Sequence, residues 1–375
     1  MKLSVLQENL TKALSITSRN ISTRAQLPVL NNVLLSTDNS RLKLSATNLE
    51  TGINYWIGAK IEKKGMVSIP AKVLTEFVAT LPSERIELEA KENNLNLTCG
   101  LYQANFVGLP ASEFPSVPTL KNKKIITFNF NDLYKAISQV AFAAAQDESR
   151  PVLAGILVVI KNKNLILVAT DGYRLSVKKI VGLKELKEIK KLEKGLIIPA
   201  RTLMEVARII GEQEQEKKIG LTVSSDSNQV IFSTPEAEIV SRLIEGDFPE
   251  FEKVIPNKSE TKVIVETETL IKAAKMASIF ARESANIVRV EITNSTLKVS
   301  ANTAQVGSNV SEIRVKTEGK KNKIAFNSRY LLDFLNSVEA EQLSFQMSSP
   351  LNPGVFKPVG DNSFLHIIMP VRVQE

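Results

Sequence analysis

The stretch Leu165-Ile166-Leu167-Val168-Ala169-Thr170-Asp171-Gly172-Tyr173-Arg174-Leu175 decides how the chain is read. An apolar, β-prone run stops at Asp-Gly and then resumes. Asp-Gly between two such runs predicts a tight turn in an antiparallel hairpin, because glycine accepts positive φ without steric cost. The stretch has echoes elsewhere in the chain. Leu42-Lys-Leu-Ser-Ala-Thr47 precedes it and Leu297-Lys-Val-Ser-Ala-Asn-Thr303 follows it, with the alanines at Ala46, Ala169 and Ala301.

Two further patterns recur in the same order. Val67-Ser-Ile-Pro-Ala-Lys-Val-Leu74, Leu196-Ile-Ile-Pro-Ala-Arg-Thr-Leu203 and Ile324-Ala-Phe-Asn-Ser-Arg-Tyr-Leu331 each read as a strand running into a helix. Pro70, Pro199 and Asn327 stand at the helix starts, where such residues fit. Gly108-Leu-Pro-Ala-Ser-Glu-Phe-Pro115, Leu243-Ile-Glu-Gly-Asp-Phe-Pro249 and Leu365-His-Ile-Ile-Met-Pro370 close the three copies. Three weak patterns repeated three times in one order define an internal repeat.

Each copy carries two amphipathic helical patterns with the i, i+3, i+4, i+7 spacing of a buried stripe. The first helices place Leu6, Leu10, Ala13, Leu14 and Thr17 on one face, then Leu133, Ile137, Val140 and Ala144, then Leu270, Ala274, Ala277 and Ala281. The second helices use Val73, Leu74, Phe77, Val78 and Leu81, then Leu203, Val206, Ala207 and Ile210, then Leu331, Phe334, Leu335 and Val338. Short β-rich runs lie between them, as at Asn32 to Ser36, Val152 to Ile160 and Val288 to Thr293. The expected fold class is α+β, with domains at 1–120, 121–256 and 257–375, each with two helices packed on antiparallel sheets.

Composition narrows the function classes. The chain has 375 residues, 43% of them apolar, and a net charge of +8. Such a balance permits a polyanionic partner without demonstrating one. Cys99 is the only cysteine, which excludes an internal disulfide and argues against zinc. Residues Met1 to Leu10 lack a signal-peptide core, and no apolar run approaches the roughly 18 residues of a membrane span. The expectation is a soluble, cytoplasmic protein with no cofactor and no metal. Asp171 reads as a turn former rather than a catalytic acid, since no paired acid, metal cluster or nucleophile accompanies it. The sole histidine, His366, reads as structural. No phosphate-binding Gly-x-x-x-x-Gly-Lys motif is present. The lysine-rich run from Lys178 to Lys194 reads as a solvated connection, because glutamates intersperse it and Gly182 interrupts it.

Exposed helix positions carry a recurrent surplus of base: Lys12, Lys72, Lys135, Arg201, Lys272, Lys275 and Arg282. If the copies lie side by side, their helices share one basic face that would meet phosphates without reading bases.

The order of these motifs resembles the bacterial DNA polymerase III beta subunit family, the replicative sliding clamps. The resemblance rests on Arg24-Ala-Gln-Leu-Pro-Val-Leu30, Ala169-Thr-Asp-Gly-Tyr-Arg-Leu175, Glu245-Gly-Asp-Phe-Pro249, Phe326-Asn-Ser-Arg-Tyr-Leu331 and Met369-Pro-Val-Arg372, and it covers essentially the whole chain. It implies three clamp-type domains per chain, forming half of a six-domain ring closed by a head-to-tail homodimer around double-stranded DNA. The implied partners are the DNA polymerase III catalytic subunit, a clamp loader and other proteins that dock through short peptides. The implied peptide pocket comprises Leu153, Thr170, Gly172, Tyr173, Arg174, Leu175, Pro249, Lys253, Val254, Asn327, Tyr330, Ile367, Ile368, Met369, Pro370, Val371 and Arg372. Arg24 and the 146–150 loop, with Gln146 and Arg150, match DNA-proximal positions. Phe106, Ile279 and Phe280 match the ring-closing interface. Two positions depart from the family pattern: Tyr173 stands where histidine is usual, and Lys253 where arginine is common. Two rivals stand beside the clamp: an open-surface basic DNA adaptor, and an enzyme using Asp171 and Arg174.

Overall fold

A computed structural model describes residues 1–19, 21, 27–119, 126–147, 149–181, 192, 194–211, 218–224 and 228–372. Arg24 and most of the 178–194 run lie outside the described residues. The chain forms two compact units, one from residues 1–130 and 208–243, the other from 131–207 and 244–375. Both are α+β, and every strand pairing is antiparallel.

In the first unit, an eight-stranded sheet runs Ile126–Asn129, Lys218–Ser224, Gln229–Ser233, Ala237–Arg242, Thr51–Gly58, Arg41–Thr47, Asn32–Asp38, Met66–Pro70. A five-stranded sheet runs Lys60–Lys63, Lys2–Leu6, Arg85–Lys91, Asn94–Cys99, Tyr102–Val107. Helices α1 (Gln7–Ser18) and α2 (Ala71–Thr80) bury Leu10, Ala13, Leu14, Leu74 and Val78. The expected stripes need two corrections. Leu6 ends a strand and is 55% exposed, and Gln7 takes the buried place, its Nε2 donating to the Val78 carbonyl at 2.8 Å. Val73 is likewise 55% exposed.

Helices α3 (Phe130–Val140) and α4 (Ala200–Gly211) belong to the middle repeat, whose sequence is shared between the two units. Ala144 lies beyond the end of α3, after a short 3₁₀ turn.

In the second unit, a nine-stranded sheet runs Leu196–Pro199, Gly155–Lys161, Asn164–Thr170, Arg174–Ile180, Phe364–Ile368, Gly354–Pro358, Gln342–Met347, Thr261–Glu266, Lys316–Gly319. A four-stranded sheet runs Gly307–Arg314, Thr296–Thr303, Ile287–Ile292, Asn322–Asn327. Helix α5 (Thr267–Ala281) and helix α6 (Ser328–Asn336) pack over them. Asn327 caps α6, its side-chain oxygen accepting the Arg329 N–H at 2.9 Å, as a helix start requires. The core here is a set of phenylalanines in ring contact, Phe326, Phe334, Phe345, Phe356 and Phe364, with Phe345 stacked on Phe356, closed by aliphatic residues from α5 and the strands.

Each large sheet is continuous from one repeat into the next. In the first unit the join pairs Ala237–Arg242 with Thr51–Gly58, setting Val240 opposite Gly52. In the second it pairs Phe364–Ile368 with Arg174–Ile180, setting Ile367 opposite Leu175. The smaller sheets each end on a strand with an unpaired edge among the described residues, Tyr102–Val107 in one and Gly307–Arg314 in the other. These edges differ from Lys60–Lys63 (Lys-Ile-Glu-Lys) and Lys316–Gly319 (Lys-Thr-Glu-Gly), which carry the charges that guard a sheet edge against pairing.

Candidate functional site

The Asp-Gly turn forms as its sequence demands. Gly172 sits at φ +92°. The Asp171 Oδ1 accepts the N–H groups of Tyr173 at 2.9 Å and Arg174 at 3.0 Å. The Thr170 hydroxyl accepts the Gly172 N–H at 3.1 Å and donates to the Arg174 carbonyl at 2.7 Å. Asp171 thus acts on its own backbone, as the turn reading expects.

Around this turn the second unit gathers residues from several segments, here termed the notch. Its floor is a separate apolar cluster in which Leu175, Val177, Phe251, Val355 and Ile367 are buried, with Val159, Ile166 and Val168 beneath. One side is the Pro249 to Val254 segment, where Val254 is 39% exposed and Lys253 pairs with Glu250. Another side is the chain beyond the last strand. There the Met369 N–H donates to the Tyr173 carbonyl and the Val371 N–H to the Ala325 carbonyl, each at 2.8 Å. Met369, Pro370 and Val371 are half-buried, while Arg372 is exposed. Leu153 closes a third side, its carbonyl accepting the Ala145 N–H at 2.8 Å. Arg150 also reaches the notch: its guanidinium lies 3.5 Å from where a Cβ on Gly172 would sit.

Arg174 is inside the wall rather than on it. Its side chain is 6% exposed, with Nε donating to Asp171 Oδ2 at 3.0 Å and Nη1 to Asp333 Oδ2 at 2.5 Å. The guanidinium stacks 4.6 Å from the centre of the Tyr330 ring and 5.5 Å from that of Phe142. Tyr330 in turn lies under Tyr173, rings 6.4 Å apart and 20° from parallel, and Tyr173 is 58% exposed. Burial, with the Asp171 charge beside it, raises the Tyr330 phenol above its ordinary value. These contacts make a rim of two aromatic faces held on one buried cation.

Behind this rim lies His366. Its Nδ1 is 2.7 Å from the Ser176 hydroxyl, and its ring stacks on Phe334 at 4.7 Å. The Nε2 has no hydrogen-bond partner among the described residues. Full burial, and then the nearby Arg174 charge, push the imidazole well below its ordinary value, so it is neutral. His366 is therefore a core residue, as the sequence suggests.

The pocket residues implied by the resemblance leave out several that lie around this turn. Phe251 and Val355 on the floor, and Phe142 and Asp333 around Arg174, come from distant segments. The phenylalanine two residues after the Gly-Asp-Phe-Pro motif was the one available signal. Asn327 sits at the edge as a helix cap, and Ile368 belongs to the larger phenylalanine core rather than to the notch floor.

The helix bases Lys12, Lys72, Lys135, Arg201, Lys272, Lys275 and Arg282 are all exposed. Lys272 pairs with Glu268 at 2.6 Å and Lys135 with Glu339 at 3.5 Å. The hydrogen bond in the first pair raises the Lys272 value and lowers that of Glu268. Gln146 is exposed in its loop. Phe106 is 8% exposed and packs edge-on against Phe77 at 5.6 Å, so its strand presents Tyr102 and Val107 instead. Ile279 is 58% exposed on α5, with Phe280 half-buried beside it. No group of three or more His, Cys, Asp or Glu able to hold a metal is found among the described residues, and no helix among them is long and apolar enough to cross a membrane.

Three α+β repeats with sheets shared between neighbours define a clamp-type fold. Comparison with known proteins agrees. Family models for the N-terminal, central and C-terminal domains of the DNA polymerase III beta subunit match residues 1–118, 127–250 and 252–372. The chain belongs to the DNA polymerase III beta subunit family. It is 30% identical to a beta sliding clamp of Synechocystis and 28% identical to one of Synechococcus elongatus, covering 100% of both chains in each case. A solved sliding clamp from Pseudomonas aeruginosa, bound to griselimycin, superposes with a TM-score of 0.92 at 27% identity over 100% of both chains.

Proposed function

We propose that this protein is a sliding clamp, a cytoplasmic processivity factor with no catalytic site of its own, that encircles double-stranded DNA and tethers the replicative polymerase. The observation that carries the reading is the pattern of sheet joins. Twice, the strand after a repeat's Thr turn pairs with the last strand of a neighbouring repeat: Thr51–Gly58 with Ala237–Arg242, and Arg174–Ile180 with Phe364–Ile368. The third such pair is Gly307–Arg314 and Tyr102–Val107, the two strands with free and weakly charged edges. Pairing these between two chains makes a third join of the same kind, and two chains joined head to tail close into a ring of six repeats. Exposed Tyr102, Val107, Ile279, Val306 and Val310 supply apolar surface for it, with Phe106 and Phe280 behind.

In this reading Lys12, Arg24, Lys72, Lys135, Arg201, Lys272, Lys275 and Arg282 face the DNA backbone, while Gln146 touches it from a loop. Arg150 joins it from the same loop, its guanidinium also lying by Gly172. The notch takes short peptides with Leu or Phe anchors from the polymerase, the clamp loader and other partners, since an apolar floor with few polar fixers suits such anchors. The domains divide at about 1–120, 121–256 and 257–375.

A retention assay tests the reading. Loaded onto a nicked circular plasmid by a bacterial clamp loader, the protein stays bound through a high-salt wash and is lost once the circle is cut. Equal, salt-sensitive loss from circular and linear DNA instead supports an adaptor that binds on an open basic surface, because contacts to phosphates weaken steeply with salt.

A further inference from the structure

We propose that Arg174 is a positioning residue of the notch: it makes no contact with a docked peptide, and it sets the peptide-binding rim by locking α6 of the third repeat onto the turn of the middle repeat. The proposal rests on the peptide-docking reading above.

A guanidinium has donors in one plane and two flat faces, and no acceptor. Here two donors are committed in the plane, to Asp171 of the turn and to Asp333 of α6. The faces meet rings, Phe142 from the 3₁₀ turn after the middle repeat's first helix and Tyr330 from α6. With 6% of the side chain exposed, little of it remains for a ligand. The exposed partner is Tyr173, which stacks over Tyr330. Beyond its bond to Asp171, Arg174 reaches the notch surface chiefly through Tyr330. The group bridges two repeats, because Asp171 and Phe142 belong to the middle one and Asp333 and Tyr330 to the third. A shift of α6 along the turn would break the 2.5 Å contact to Asp333 and uncouple the two tyrosines together. Lysine cannot replace it, since a point charge on a flexible stem neither forks between two carboxylates nor stacks on a ring.

The test is a double-mutant cycle on full-length protein, read as the anisotropy of a short fluorescein-labelled peptide carrying Leu and Phe anchors. Wild type binds. Arg174→Lys and Tyr330→Leu each weaken the dissociation constant about tenfold, and the double variant is no weaker than Tyr330→Leu alone, since residues acting through one another are not additive. Asp333→Asn, at a half-exposed position, reproduces Arg174→Lys and carries the test should that variant fail to fold. A role in stability alone would lower the fraction of active protein and leave the constant of the remainder unchanged, which overturns the proposal. Losses that multiply to about a hundredfold in the double variant also overturn it, because independent losses mean direct contact between Arg174 and the peptide. Absence of binding by wild type would reject the docking reading itself, an outcome distinct from binding that is indifferent to Arg174.

Discussion

The turn at Thr47 to Thr51 and the turn at Thr170 to Arg174 share one hydrogen-bond pattern and serve different ends. In the first, the Thr47 hydroxyl donates to the Thr51 carbonyl and accepts the Leu49 N–H, each at 3.0 Å, while the Asn48 side-chain oxygen accepts the N–H groups of Glu50 and Thr51. Thr170 and Asp171 make the same bonds in the second. Even the strand across the join responds alike: the Arg242 N–H donates to the Glu50 carbonyl, as that of Met369 does to Tyr173. The difference begins with the next two side chains. Thr51 and Gly52 stand where the second turn has Arg174 and Leu175. A Cβ on Gly52 would lie 2.7 Å from the Val117 side chain, so the segment leading out of the first repeat already fills that groove. At the second join Leu175 is part of an apolar cluster to which the leading-out segment contributes the buried Phe251, with Phe248 and Ile255 packed against it. The pair facing across each join differs too, Ile53 with Ile239 in one and Ser176 with His366 in the other. One scaffold thus makes a join with a glycine under Val117 and a join with Leu175 in a cluster with Phe251, and a handful of side chains decides which.

That contrast can be broken at several points. The largest effect is expected from Gly52→Leu, which copies the residue of the second join into the first and drives a side chain into Val117. It destabilises the protein by about 1–3 kcal/mol, the usual cost of overpacking, in urea unfolding, and adding Val117→Ala recovers most of the loss. The second effect separates the joins by pH. His366 takes up protons in the unfolded chain before it does in the folded one. Stability therefore declines as pH falls below about 6.5, the ordinary histidine value, with a slope approaching 1.4 kcal/mol per pH unit. It levels off once the folded imidazole also titrates. His366→Phe removes this contribution from the pH profile of chemical unfolding, and the apolar Ile53–Ile239 pair has no counterpart to it. The smallest effect belongs to the turn itself. Leu49 sits at φ +76° where the second turn has glycine. Leu49→Gly relieves that strain and raises the thermal midpoint, a gain of about 0.5–1 kcal/mol after the added chain entropy of glycine is subtracted.

Much of this was legible in the residues themselves. The six helices among the described residues, the Asp-Gly turn and the cap at Asn327 follow from local spacing, because each is stabilised within a few residues of itself, and the repeats follow from the recurrence of these local patterns. The joins were not legible. The pairing of Ala237–Arg242 with Thr51–Gly58 is a long-range register, and periodicity within a strand says nothing about which distant strand completes it. The inward turn of Arg174 was hidden for the same reason, since Asp333 and Tyr330 that hold it lie in another repeat. The exposures of Leu6 and Val73 show the limit of helical periodicity, which names the apolar residues but not where the helix begins or which neighbour covers them.

The open edges at Tyr102–Val107 and Gly307–Arg314 have a consequence for how such an assembly comes apart. At the two joins made inside the chain, the pairing strands are tethered by the same backbone, so each meets its partner at an effective concentration in the millimolar range whatever the dilution. A join between chains has no tether and answers to the bulk concentration of protein. In the proposed ring, contacts of similar construction would therefore differ in durability through covalent connectivity alone, and dilution or a pulling partner would part it at the two places where no peptide bond holds it.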